Sequence, residues 1–209
     1  MPAKADPVAP QQFLTGTLRP LLKRAAAGTR RVFFADAAHV VRGAFLASLW
    51  CLGRWVVPTG AGRPRDSVLG ALDATTRTLI RETTDGTVTH VTAGRLRLKI
   101  RAAHPTGRIT VVWDNARDQH TSLVRAVAAF TRIDRVSRPP YSPNRNRIER
   151  VWKFVKKAAL ANRSFPDSPA FRAAIDDTLD RLGSTHRDAM ASLLTLRFET
   201  RHPASNSTG

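Results

Sequence analysis

Apolar side chains recur along the chain in two periods, and the switch from one to the other marks out the elements. Phe13, Leu14, Leu18, Leu21 and Leu22 are spaced as one face of a helical arm over 11–28, interrupted or restarted at Pro20. "RVFFADAAHVV" is rich in Val and Phe and reads as a buried strand that ends near Asp36. "LWCLGRWVVP" and "SVLGALDATTRTLIRET" read as further strands, the second as a hairpin turning near Asp73–Arg77. Residues 88–103 look helical despite their early Thr and Val. "GRITVVWDNA" is the clearest buried strand, since Ile109 to Trp113 is apolar except for Thr110. A helix over 118–130 and a short strand near 133–138 follow. Pro139, Pro140 and Pro143 enforce an extended loop before a helix that begins near Asn146. That helix carries Ile148, Val151, Trp152 and Val155 as an inward stripe. Two more helices fit 167–182 and 185–197. Strands first, then helices alternating with strands, predict a mixed α/β domain with a central sheet.

Composition narrows the class. At 209 residues, 42% hydrophobic and 24% charged, the chain fits a single folded domain. Its 34 basic against 16 acidic residues give a net charge of +18, spread along the chain, which favours a polyanionic partner. One cysteine, Cys51, allows no intrachain disulfide, and its apolar neighbours mark it as a small buried hydrophobe. The N-terminus lacks an apolar signal core, and "GAFLASLWCLG" is too short to cross a bilayer. A soluble, cytoplasmic protein is expected. Residues 1–10 read as a flexible leader and 201–209 as a disordered tail. Paired Cys or His at zinc spacing, a phosphate-binding G-x-x-x-x-G-K-[ST] loop and a G-x-S-x-G nucleophile elbow are all missing from the sequence. Enzymatic chemistry, if there is any, falls to carboxylates.

Three acids stand out by position. Asp114 follows the strand "ITVVW", where it faces either the crevice at the strand ends or an Asx-type turn. Asp36 repeats the pattern after "VFFA". Glu149 is the one acid among the seven cationic residues of "SRPPYSPNRNRIERVWKFVKK". It offsets a positive helix N-terminus, pairs with Lys153 one turn on, or ligates a metal. Arg147, Arg150, Lys153 and Lys157 recur at helical spacing as a basic face suited to phosphates. Two aspartates and a glutamate on rigid elements are the hard oxygen donors that two-metal phosphodiester cleavage requires.

"VFFADAAH", "VVWDNARDQH" and "RPPYSPNRNRIERVWKFVKK" closely resemble the signatures of bacterial insertion-sequence transposases of the mariner-like Asp-Asp-Glu superfamily. The resemblance runs from about Gln11 to Thr200, and the last motif is long and specific. Asp114 and Glu149 are separated by 34 residues, the spacing of one branch of that superfamily. The resemblance implies a ribonuclease H-like fold, with residues 29–200 as the catalytic domain. It implies a metal-binding catalytic triad of Asp36, Asp114 and Glu149, holding two Mg²⁺ ions for which Mn²⁺ substitutes. It also implies double-stranded DNA, as transposon ends and target, for a partner. Asp73 lies in a family segment that forms a structural hairpin. His39, Asn115 and His120 are placed to orient substrate or metal-bound water, or are ordinary polar residues of loop and helix.

The departures from the family pattern are Asp118, where relatives carry Tyr, and Arg145 and Arg147, where they carry Leu or Pro. Arg145 and Arg147 join the expected DNA-binding face. Family members usually begin with helix-turn-helix domains, so an N-terminally truncated or split copy is expected. Either a homodimer or a separate end-recognition polypeptide would then complete the nucleoid-associated machinery. The expected activity is metal-dependent strand cleavage followed by transfer of the freed 3′-hydroxyl. The alternatives are a catalytically silent DNA-binding remnant, or a nuclease that uses the triad without strand transfer.

Overall fold

The computed structural model describes residues 11–41, 65–113, 122–139, 147–161, 163 and 165–194. The expected strand "LWCLGRWVVP", the leader and the tail lie outside these residues. Five strands form one mixed sheet: β1 (Arg31–Val41), β2 (Arg65–Asp73), β3 (Leu79–Asp85), β4 (Ile109–Trp113) and β5 (Ile133–Ser137), in the order β3-β2-β1-β4-β5. β1, β2 and β3 are antiparallel neighbours, whereas β4 and β5 run parallel to β1. The helical arm is a π-helical stretch, Phe13–Leu18, followed by α1 (Arg19–Ala26). The helix type changes one residue before Pro20, which supplies no N–H and is tolerated in a first turn. The remaining helices are α2 (His90–Ala103), α3 (Ser122–Thr131), α4 (Arg147–Leu160), α5 (Ser168–Asp180) and α6 (Arg187–Leu193).

Side-chain alternation along β1 sorts the helices onto two faces. Phe33 and Ala35 meet Ala93, Leu96 and Ile100 of α2. Val32 and Phe34 meet Leu14, Leu18 and Leu21 of the arm, while Ala38 and Val40 on the same face meet Ile148, Val151 and Trp152 of α4. The predicted stripe of α4 is fully buried.

Local chemistry explains the ends. Thr89 and Thr92 form a reciprocal capping box at the start of α2, which offsets the weak helix propensity of its first turn. Asp73, 2% exposed, closes the β2–β3 hairpin by accepting from the amides of Thr75 and Thr76 at 2.7 and 2.9 Å. Arg77 takes a left-handed conformation, φ 63°, to complete that turn. Asp73 is thus the structural acid its segment predicted.

Arg172 on α5 ties two strands together. Its Nη2 lies 2.5 Å from Asp66 Oδ1 on β2 and also bonds Asp85 on β3. Asp66 is only 3% exposed, and this guanidinium is the cation set against it. Arg172→Met is expected to lower stability by about 2–3 kcal/mol, the cost of leaving a buried carboxylate without its cation, reduced because the guanidinium is partly exposed. Urea unfolding checks this: the midpoint should fall with the slope unchanged.

One boundary differs from expectation, and another lies partly outside the described residues. β1 runs on to Val41 instead of stopping near Asp36, because its pairing with β2 continues as far as Val41↔Arg65. What stops beside Asp36 is the described pairing with β4, whose last partners are Ala35 and Trp113. Of the helix expected over 118–130, residues 118–121 lie outside the described residues, and the described part runs from Ser122 to Thr131.

Candidate active site

Asp36 lies where the apolar face of β1 is interrupted. It is half-buried, and alternation puts it between Phe34, under the arm, and Ala38, under α4. Among the described pairings, it faces β2 alone: its partner there is Gly70. A Cβ on Gly70 would stand 2.7 and 2.8 Å from Cη2 and Cζ2 of Trp152, and 3.0 Å from Leu79 Cδ1. The glycine therefore leaves a hollow in the sheet beside Asp36, and the Trp152 indole fills it. Glycine inside a strand serves here for close approach. Glu149 precedes Trp152 by three residues on α4, almost one turn, so the same docking that seats the indole fixes the height of Glu149 over the sheet.

Glu149 is half-buried in the first turn of α4. Lys153, offered by the sequence as its partner, is exposed; Arg138 Nη1 lies 3.7 Å from Glu149 Oε1 as an ion pair. Arg138 itself is 5% exposed, and its amide donates to Trp113 O at 3.0 Å, carrying the β4–β5 pairing one residue beyond Ser137. A continuous path of contacts thus links Glu149, Arg138, Trp113, Ala35 and Asp36. Asp114 lies outside the described residues, as do Asn115, Asp118, His120 and Arg145; Trp113, which precedes Asp114 in sequence, is paired with Ala35, which precedes Asp36.

The other expected site residues separate into groups. Lys153 and Lys157 are exposed on α4, as a phosphate-binding face requires. Arg150 is half-buried and Nη1 donates to Leu193 O at 3.1 Å, so it staples α4 to α6. Arg147 opens α4, and its side chain lies outside the description. His39, three residues beyond Asp36, belongs to the opposite face of β1, where Nδ1 is 2.8 Å from Ser67 Oγ. Sequence reasoning missed Gly70 and Arg138. A glycine inside the alternating run "SVLGALD" is the available signal for the first; burial of an arginine in a basic stretch has none.

Arg97 on α2 adds to the electrostatics from the sheet's other face. It is 1% exposed, its Cζ lies 6.0 Å from the Trp113 ring centroid, and its Nε and Nη1 make no hydrogen bond. Burial, and secondarily the neighbouring Arg135, hold its guanidinium below the usual arginine pKa. Buried cations without a carboxylate partner project a poorly screened positive potential.

The donor set fits a hard divalent cation. Asp36 and Glu149 offer carboxylate oxygens from a strand and a helix that pack together, both still partly open to solvent. Among the described residues no group of three His, Cys, Asp or Glu side chains that could hold a metal ion is found.

Comparison with known proteins bears on the family and the fold. A family model described as "DDE superfamily endonuclease" matches residues 54–172. No curated protein sequence matches the chain. Among solved structures, the catalytic domain of Mos1 mariner transposase superposes with a TM-score of 0.57 at 16% identity, covering 95% of this chain and all of that one. The Mos1 mariner paired-end complex with Mn gives 0.60 at 16% identity, covering 95% of this chain; the chain spans 66% of that protein's length. The HTLV-2 integrase catalytic core domain in complex with magnesium gives 0.50 at 12% identity, over 74% of this chain and 86% of that one. The fold is the ribonuclease H-like one of transposase and integrase catalytic domains. With the family model spanning more than half of its length, the chain belongs to the DDE superfamily endonucleases.

Proposed function

We propose that this chain is the catalytic domain of a cut-and-paste DNA transposase, of the bacterial insertion-sequence kind, acting on DNA in the nucleoid. The observation that carries the reading is the docking of Trp152 over Gly70, which sets Glu149 above the strand that bears Asp36. Asp36, Asp114 and Glu149 are the proposed ligands of two Mg²⁺ ions, for which Mn²⁺ substitutes. When bound, such ions activate an attacking oxygen and stabilise the leaving one in phosphodiester cleavage.

The chain's own residues do the rest. Lys153 and Lys157 grip DNA phosphates from the exposed face of α4, with Arg145 and Arg147 as proposed additions from the basic stretch. Arg138 holds the Glu149 carboxylate from its buried side. The apolar clusters on either side of Asp36 exclude water from all but the open edge. Asn115 and His120 are proposed to orient the substrate beside Asp114. His39 is linked to Ser67 on the other face, so its effect would be indirect. The substrates are transposon ends and target DNA. Because two ends are cut, a second copy of the chain is the proposed protein partner.

Metal removal tests the reading. Wild-type protein mixed with end-labelled duplex DNA and Mg²⁺ or Mn²⁺ is expected to nick the duplex, and EDTA should abolish nicking without abolishing binding at low salt. Equal nicking with and without EDTA would falsify it, and so would binding with no nicking in either metal.

A further inference from the structure

The three parallel strands have a second end, opposite the carboxylates. Arg30, Arg108 and Arg132 each stand immediately before β1, β4 and β5 respectively, and they line one open concavity of about 800 Å³. β4 is five residues long, so the hollow and the carboxylate end are separated by roughly 15 Å of sheet.

The hollow is built, and its charges are not equivalent. Arg101 forms its base by donating to four backbone carbonyls: Thr131 at 2.7 Å, His104 and Arg132 at 3.1 Å, and Gly107 at 3.2 Å. This fork clamps the end of α3 to the turn before β4 and neutralises the carbonyl-rich helix ends there. Arg30 is tied to Asp134 at 2.7 Å and to Thr110 Oγ1. Two cations remain: among the described residues, the exposed Arg108 and Arg132 have no side-chain hydrogen bond or ion pair. Beside them stands Phe130, 79% exposed, the most exposed large hydrophobic side chain among the described residues. Arg132 is held at φ 50°, a left-handed conformation that fixes where its side chain leaves the turn.

Two exposed arginines and an exposed aromatic ring around a hollow match the chemistry of a phosphate joined to an unpaired base. A duplex hides its base faces, whereas a single strand offers both a backbone to arginine and a base to stack. We infer that this hollow is a second, non-catalytic nucleic-acid site, which takes a single-stranded DNA segment with its phosphates on Arg108 and Arg132 and a base on Phe130. The inference rests on the proposed action on DNA. It places single strands at the end of the sheet away from the cut.

Fluorescence anisotropy tests it, with a labelled oligo(dT) and a labelled duplex, in EDTA and in the Asp36→Asn background so that the carboxylate end contributes no cleavage. Phe130→Ala is expected to weaken oligo(dT) binding about tenfold, with Phe130→Trp restoring it and duplex binding unchanged. Arg108→Ala with Arg132→Ala should make the single-strand salt dependence shallower by about 1.4 logarithmic units, two phosphate contacts' worth. Equal oligo(dT) affinity in wild type and variants overturns the inference. So does an equal loss for single strand and duplex, or a mononucleotide that binds as tightly as oligo(dT). A control separates the two readings. If Lys153→Ala with Lys157→Ala weakens duplex binding while the hollow's variants change nothing, only the hollow is excluded; a wild type that binds no DNA at low salt removes the DNA reading itself.

Discussion

Asp36→Asn is expected to slow metal-dependent DNA cleavage about a thousandfold or more, since metal stabilisation of the transition state is worth several kcal/mol and each ~1.4 kcal/mol is tenfold. The substitution keeps the side chain's size and removes one hard, charged donor. Asp36 is half-buried at a break in the apolar face, and its strand is held by β2 through Val41 regardless of that side chain. Thermal unfolding should therefore stay within about 2 °C of wild type, as for a substitution that opens no cavity. Glu149→Gln is expected to match it in cleavage. DNA binding at low salt should persist in both, because the phosphates are held by cations. Measured cleavage rates at saturating metal decide the matter: an Asp36→Asn protein that cuts within tenfold of wild type would remove Asp36 from the site.

The second large effect comes from a residue with no side chain. In Gly70→Ala the new Cβ meets the Trp152 ring at 2.7 and 2.8 Å, well inside contact distance. The indole is buried, so it has little room to retreat, and α4 must lift. Overpacking of this kind costs about 1–3 kcal/mol, or roughly 4–8 °C in melting temperature for 2 kcal/mol in a chain of this size. Activity should fall further than stability, because lifting α4 moves Glu149, and a small misplacement at a reacting centre costs about a hundredfold. Combining Gly70→Ala with Trp152→Phe removes the colliding ring atoms. Melting temperature and cleavage should then recover together. If Gly70→Ala alone melts and cuts like wild type, the hollow does not set the height of α4.

Legibility from sequence followed the range of the interaction. The β2–β3 hairpin, the buried β4 and the stripe of α4 are local patterns, and each appears where its residues predicted. The position of Asp36 was legible as an acid after an apolar run. That its strand continues was not, because the strand that prolongs it begins at Arg65, beyond a long intervening segment. Charge alone did not distinguish two positions. Arg150 and Arg138 look alike in a basic stretch, yet one caps the carbonyl of Leu193 and the other lies buried beside Glu149. Sequence spacing gives direction around a helix, but not which neighbouring carbonyl or carboxylate waits there. For Gly70, the residue that matters most to the placement of Glu149 is on another element altogether, so no pattern within α4 could reveal it.

The dependence of Glu149 on the seat at Gly70 also has a meaning in time. During synthesis the β1–β2–β3 meander emerges first and consists of neighbouring strands that can pair early. β4 and β5 follow, and the indole that fills the hollow is made last, within α4. A chain that ends before α4 already carries most of the basic residues, yet it has no indole to fill the hollow and no Glu149. The part of the fold that seats Glu149 is thus made after the five strands, so the candidate site is completed only when synthesis has passed α4.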